Sequence, residues 1–249
     1  MTQKEILETA LAQSAADLGC APADFLKPEN TVVPCGKFDG ARAYLKQPNP
    51  CHIVSYGRGA VAAADPAISD EIKVLLDGIH PVTRCFCTPY LGALDTVLAR
   101  IGCRVGYLSE YWLPDLGRLH AQPCDFALRL LKQDDFAALY LPEWSNALCA
   151  DRAVLDVLGV GAYDGEKLVG LAGCSADCET MWQIGVDVLP AYRGNGIAAA
   201  VTGRLALEIL ARGKVPFYCC AWSNLPSAKN AVRSGFSPAW AELDSRYIG

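Results

Sequence analysis

Residues 181–221, "MWQIGVDVLPAYRGNGIAAAVTGRLALEILARGKVPFYCCA", constrain the fold more tightly than any other stretch of this chain. An apolar run closes at Leu189-Pro190, and the chain then turns through Arg193-Gly194-Asn195-Gly196. Ile197, Val201, Leu205 and Ile209 next recur at a helical spacing, as do Arg204, Glu208 and Arg212. Two such stripes describe an amphipathic helix lying on a sheet. "KVPFYCCAWS" follows as a short apolar run that reads as a buried strand. A strand, a helix and a strand in that order imply a parallel pair with a right-handed crossover. The fold class expected is therefore α/β.

Around this unit the same reading finds a hairpin at Asp164-Gly165 between two apolar runs, and a short helix over "NLPSAKNAVRSG" with Asn224 as cap, Pro226 in its first turn and Gly235 as terminator. Upstream, "CDFALRLLKQDDFAALYLP" reads as a strand running into a helix, and "EWSNALCADRAVLD" as a second helix. Periodicity lapses over residues 111–125, where Pro114 and Pro123 sit, which suggests two domains, 1–120 and 121–249. The first half has strands at "CHIVSYG" and "AVAAAD", a helix over 67–79, a strand at "TRCFC", a helix at "YLGALDTVLARIG" and a strand at "RVGYLSEYWL". This cadence parallels residues 181–247 but lacks the glycine turn. A duplicated, degenerate half and an unrelated α/β accessory domain both stay open.

A net charge of -5, with no basic stripe, argues against nucleic acid as a partner. No uncharged run reaches the ~20 residues that a membrane span needs, and the amphipathic N-terminus has neither secretory nor transit character, so a cytoplasmic protein is expected. Twelve cysteines in that compartment are expected to be thiols. Cys174 and Cys178 have ligand-like spacing, but no second pair accompanies them and the three histidines are scattered, so no metal is expected.

A strand that turns through two glycines into a helix aims several backbone N–H groups at one point, where an anion can sit. Here the residues resemble a family. "VDVLPAYRGNGIAAA" is similar to the R-G-x-G motif of GCN5-related N-acetyltransferases (GNAT), and "WSNLPSAKNAVRSGFSPAW" to the family's second motif, an Asn followed eleven residues later by Gly-Phe. The resemblance covers about 125–247. It implies a mixed central sheet flanked by helices and acetyl-CoA, or a related acyl-CoA, as co-substrate. It also implies transfer of the acetyl group to a primary amine by direct attack in a ternary complex. The acceptor, a small molecule or a protein, is open, as is a homodimer; the alternative is a non-catalytic acyl-CoA-binding module.

On that resemblance the pyrophosphate meets the amides of Gly194, Asn195, Gly196, Ile197, Ala198 and Ala199, with Arg193 nearby. The backbone of Val186, Asp187 and Val188 offers itself to the pantetheine amides as though to an added strand. Asn224 reaches the pantetheine arm or caps its helix, and Ser227 meets the other flank. The backbone N–H of Val188 is the candidate oxyanion donor. The chain departs from the family where a Tyr and an acidic residue are usual: those positions hold Ala231 and Cys219. Glu179, Asp187 and Cys219 are the remaining candidates for the chemistry, with Tyr218 and Ser223 as hydroxyl donors.

Overall fold

The computed structural model describes residues 1–248. In chain order its elements are α1 (Gln3–Leu18), β1 (Thr31–Pro34), β2 (Cys51–Ser55), β3 (Ala60–Ala64), α2 (Ser69–Asp77), α3 (Thr88–Ala99) and β4 (Cys103–Pro114). Then come β5 (Ala127–Lys132), β6 (Asp156–Asp164), β7 (Lys167–Ser175), β8 (Met181–Val188), α4 (Ile197–Ala211), β9 (Val215–Ala221), α5 (Leu225–Arg233) and β10 (Phe236–Tyr247). The chain is α/β, with mixed sheet pairing and flanking helices. Its two compact units are interleaved in sequence. One holds residues 7–111, 220–223 and those from Ala239 on; the other holds 1–6, 112–219 and 224–238.

In the first unit β3 pairs in parallel with β1 and antiparallel with β2, and β2 pairs antiparallel with β10 through Ala241–Asp244. Every residue of β2 and β3 is buried, which accounts for the unbroken apolar run of β3; in β2, His52 and Ser55 are buried polar residues. Ile72 and Leu76 of α2 and Leu94 and Leu98 of α3 pack with Ile53, Ala62 and Leu243 in one core. "TRCFC" is not a strand. Val82–Arg84 is a 3-10 turn and α3 begins at Thr88, with Pro89 in its first turn. Proline is favoured there because its missing N–H is one that a helix start leaves unbonded. A short apolar run does not separate a strand from a buried helix entry, and Cys85 and Phe86 are buried either way. Two helices with no strand between them thus join β3 to β4, and the parallel with 181–247 ends there.

This unit also encloses an ionic cluster. Arg42 Nε donates to Asp17 Oδ2 at 2.5 Å and its Nη2 to Glu242 Oε1 at 2.6 Å, while Glu242 Oε2 lies 3.2 Å from His52 Nε2. All four side chains are buried. Burial pushes the Glu242 carboxyl up, but the charges of Arg42 and His52 outweigh it and hold the group well below the usual carboxylate range.

In the second unit β5, β6, β7 and β8 are antiparallel neighbours and β8 runs parallel to β9, the crossover being α4. The hairpin at Gly165, φ +59°, is where the Asp-Gly pair predicts it. Helix α4 lies on one face. A Cβ at Gly170 would stand 2.4 Å from Ile197 Cγ2, so only glycine lets helix and sheet approach so closely.

Neither of the helices expected across 133–155 forms. Short 3-10 turns take their place: Gln133–Phe136, Pro142–Trp144 and Ala150–Leu155. Leu141 is extended ahead of Pro142, as a residue before proline tends to be. Beyond it, two carboxylates capture the backbone. Asp187 accepts from the N–H groups of Asn146 and Ala147, and Asp156 from that of Cys149. Amides bound to side chains in this way are lost to a helical ladder.

Candidate acyl-donor site

The site is built where β8 leaves β9. Their register runs from Met181↔Val215 to Ile184↔Tyr218 and stops, whereas β7 accompanies β8 as far as Gly170↔Val188. Gly185–Val188 therefore keep a strand on one edge only. Leu189 N–H donates to Val169 carbonyl at 3.0 Å, which makes Leu189 and Val169 a hydrogen-bonded pair. Antiparallel alternation then turns Asp187 and Gly185 toward β7 and directs the N–H and C=O of Val186 and Val188 to the open edge.

Beyond β8 the chain passes through a 3-10 turn, Pro190–Tyr192, into the glycine loop. Gly194 has φ +87° and Gly196 φ +75°, left-handed conformations that residues with a Cβ adopt at a cost. At both, a Cβ would meet no protein atom within 4 Å. Packing does not demand these glycines; backbone conformation does, and the space before them is open. Gly196 is the N-cap of α4, and no side chain caps this helix start. The N–H groups of Ile197, Ala198 and Ala199 consequently carry the positive end of a fifteen-residue helix.

The loop is braced from behind. Asn195 Nδ2 donates to Tyr192 carbonyl at 3.1 Å, and Tyr192 hydroxyl donates to Asp164 at 3.0 Å. Arg193 folds back, its Nε donating to Val188 carbonyl at 3.2 Å. Asn224 caps α5, its Oδ1 accepting from Ser227 N–H at 3.2 Å, and Ser227 hydroxyl lies 2.7 Å from that of Tyr218.

The candidates for chemistry divide. Cys219 is the first residue of β9 past the register with β8; it is half-buried, and Gln183 Nε2 donates to its Sγ at 3.0 Å. Asp187 lies in the open segment, but its carboxylate accepts from Asn146 N–H, Asn146 Nδ2 and Ala147 N–H at 2.8, 2.6 and 2.9 Å. It holds that loop onto the sheet. Glu179 is exposed before the far end of β8. Roughly 3.3 Å of rise per strand residue puts it on the order of 20 Å from Val186, so the two are not brought together. Ala231 is fully buried, and Tyr218 is buried as well. Among the described residues no group of three or more His, Cys, Asp or Glu side chains is placed to hold a metal ion, and no helix is long and apolar enough to cross a membrane.

Sequence reasoning did not find Gln183, Ser175 or the glycine pair Gly173↔Gly185. A Cβ at those glycines would stand 2.2 Å from Ala147 carbonyl and 1.8 Å from Asn146 carbonyl, so the pair lets the 146–147 loop lie directly on the strands. Only strand register joins residues so far apart in sequence.

Residues 116–239 match the family model for GNAT acetyltransferase. The C-terminal half is a GNAT acetyltransferase domain. A GCN5-related N-acetyltransferase from Kribbella flavida shares the fold over 98% of this chain and 96% of its own, with a TM-score of 0.54 and 14% identity. A GCN5-related N-acetyltransferase-like protein from Streptococcus suis is 21% identical, covering 82% of this chain and 87% of its own at a TM-score of 0.49. A Salmonella typhimurium structure with its cofactor acetyl-CoA aligns with 50% of this chain and 94% of its own, at 16% identity and a TM-score of 0.36. No curated protein sequence matches the chain. The GNAT match takes in β5 to β9, α4, α5 and the glycine loop, and ends within β10.

Proposed function

We propose that this GNAT domain binds acetyl-CoA and transfers its acetyl group to a primary amine in a ternary complex. The observation that carries the reading is the open edge of β8 leading into an uncapped helix start with two left-handed glycines. Diphosphate oxygens fit the second feature, because convergent N–H groups and a helix dipole favour an anion that no Cβ keeps away. Gly194–Ala199 would hold them. Val186 and Val188 would take the pantetheine amides as a neighbouring strand would, through main-chain groups alone. Asn224 and Ser227 would bound the β9 side, with Asn224 acting through its cap.

Acetyl-CoA supplies an activated thioester. The protein must orient it, offer a donor where negative charge develops on the acyl oxygen, and receive the amine uncharged. Val188 N–H, on the open edge, is the donor of the right kind. An aliphatic ammonium has a pKa near ~10, so a proton must leave it first. Cys219 and the hydroxyl of Tyr218 are the groups on β9 beside the open edge; Asp187 acts by positioning the 146–147 loop.

A second reading, a non-catalytic acyl-CoA-binding module, draws support from the buried Ala231 and from the hydrogen bonds that occupy Asp187. Thiol release from acetyl-CoA with a panel of amines tests both. Amine-dependent release supports transfer. Coenzyme A binding without release supports the module, and no binding removes both.

A further inference from the structure

We propose that the hydroxyls of Tyr218 and Ser227 form a two-step proton relay to the sulfur of bound coenzyme A, in which Ser227 touches the sulfur and Tyr218 orients and recharges Ser227. The inference rests on the acyl-CoA reading above and deepens it, by assigning the acid that the departing thiolate meets.

Gly170 faces Ile197 of α4, and Val188, its partner on β8, lies on the same side of the sheet. Alternation puts Val186 and Ile184 there too, and Tyr218, paired with Ile184, carries the row onto β9. The 146–147 loop covers Gly173 and Gly185 and so occupies the opposite face, which also takes the side chains of Asp187 and Cys219. A pantetheine that runs from the start of α4 back along Val188 and Val186 therefore brings its sulfur to where the Ile184↔Tyr218 pair closes the edge, on the α4 side. Tyr218 is buried at that point, and its hydroxyl meets a half-buried one, that of Ser227 in the first turn of α5. Asn230 Nδ2 donates to Thr202 Oγ1 at 3.2 Å, and this buried bond holds α5 against α4. With its N–H taken by Asn224 Oδ1, Ser227 has Tyr218 as the one partner of its hydroxyl among the described residues. Of the two hydroxyls the phenol is the stronger acid, so Tyr218 donates, and Ser227 keeps its own hydrogen for a group outside the pair. Ala231, one turn further along α5, has no proton to give.

The step balances within the proposed reaction. As the tetrahedral intermediate collapses, the C–S bond breaks and its electron pair goes to sulfur. The thiolate takes the hydrogen of Ser227 while Ser227 Oγ takes that of Tyr218. The phenolate regains, by way of solvent, the proton that the amine gave up. An ordinary thiol at about 8.5 and a phenol at about 10 are close enough in acidity for such a transfer.

The test reads the sulfur directly, in the full chain. Bound coenzyme A is titrated with pH and its thiolate absorbance followed, with the complex of desulfo-coenzyme A subtracted to remove the protein's own cysteines and tyrosines. A hydrogen bond given to the thiolate favours that form, so Ser227→Ala should raise the pKa of the bound thiol by about one unit, and Tyr218→Phe should raise it by less. Ser227→Thr, which restores a hydroxyl, should keep the wild-type value. Each variant should bind desulfo-coenzyme A within about twofold of wild type, the check that the site is intact; Tyr218→Phe, which keeps the ring, decides alone should Ser227→Ala fail it. With an amine that supports release, Ser227→Ala and Tyr218→Phe should each lower kcat on the order of 100-fold at an unchanged KM for acetyl-CoA. A thiol whose titration neither variant moves would overturn the relay and leave the acyl-CoA reading intact. Binding without release by any amine would overturn it too, since no thiolate then departs, and failure of coenzyme A to bind the wild type would remove both.

Discussion

Substituting Gly196 by valine tests the donor site at its most specific point. At φ +75° and ψ -2° the residue is left-handed, and a residue with a Cβ held there costs about 1–2 kcal/mol, more when β-branched. The added Cβ meets no protein atom within 4 Å, so the folded protein bears the backbone cost without a packing clash. At roughly 2–4 °C per kcal/mol for a chain of this size, the melting temperature should fall by about 2–8 °C and the domain should stay folded. Ligand affinity should fall further. The side chain projects into the space before Ile197–Ala199, where the diphosphate is proposed to sit, and one lost hydrogen bond to a charged group costs about 1.5–3 kcal/mol. At ~1.4 kcal/mol per decade, coenzyme A should bind on the order of 10- to 100-fold more weakly. Calorimetry on wild type and variant would measure this, with circular dichroism as the check on folding. Pantetheine, which has no phosphate and would use only the β8 edge, is the control and should change by less than about twofold. Equal losses for both ligands would refute the reasoning, because the glycine would then shape the fold and not the anion site. Unchanged coenzyme A binding would reduce the loop to a turn.

Further outcomes follow from the same contacts. Asp187→Ala leaves the amides of Asn146 and Ala147 without their acceptor and should destabilise the protein by about 1–3 kcal/mol in urea; activity lost with stability unchanged would make Asp187 a base and not a brace. Arg42→Met strands two buried carboxylates, Asp17 and Glu242, and should cost about 3–5 kcal/mol, whereas a loss below about 1 kcal/mol would mean that the cluster rearranges freely. Because the folded pKa of Glu242 is depressed, its contribution is complete above the unfolded value of about 4.3 and is lost as pH falls toward the folded one. Glu242→Gln should therefore flatten the acid limb of the stability curve below about pH 4.5, against the sense of Asp156, whose carboxyl burial raises; parallel curves for variant and wild type would contradict this. A fragment of residues 125–249 should be insoluble, since Ala241–Asp244 lose β2 and the fully buried Leu243 loses its core; a soluble fragment with a cooperative melt would show the remainder to be self-sufficient.

Local patterns carried what local physics controls. The spacing of Ile197, Val201, Leu205 and Ile209 determined α4, Asp164-Gly165 determined its hairpin, and Asn224 with Pro226 determined the start of α5, because each depends on a backbone preference or a face that neighbouring residues settle among themselves. The glycines of the loop were legible for the same reason: positive φ is a demand on one residue. Tertiary structure decided the rest. Whether "TRCFC" became strand or helix entry depended on the core that received Cys85 and Phe86, not on its own apolarity. The helices expected over 133–155 gave way because Asp187, some forty residues away, takes the amides of Asn146 and Ala147 that a helix would have used, and Asp156, at the start of β6, takes that of Cys149. The end of pairing between β8 and β9 decided which backbone groups face the open edge, and strand register placed Cys219 beside Gln183 and Ser175 two strands from it. The residue types of a donor site can be read one at a time, but which of them share an edge is a property of register, and register is set by the whole sheet.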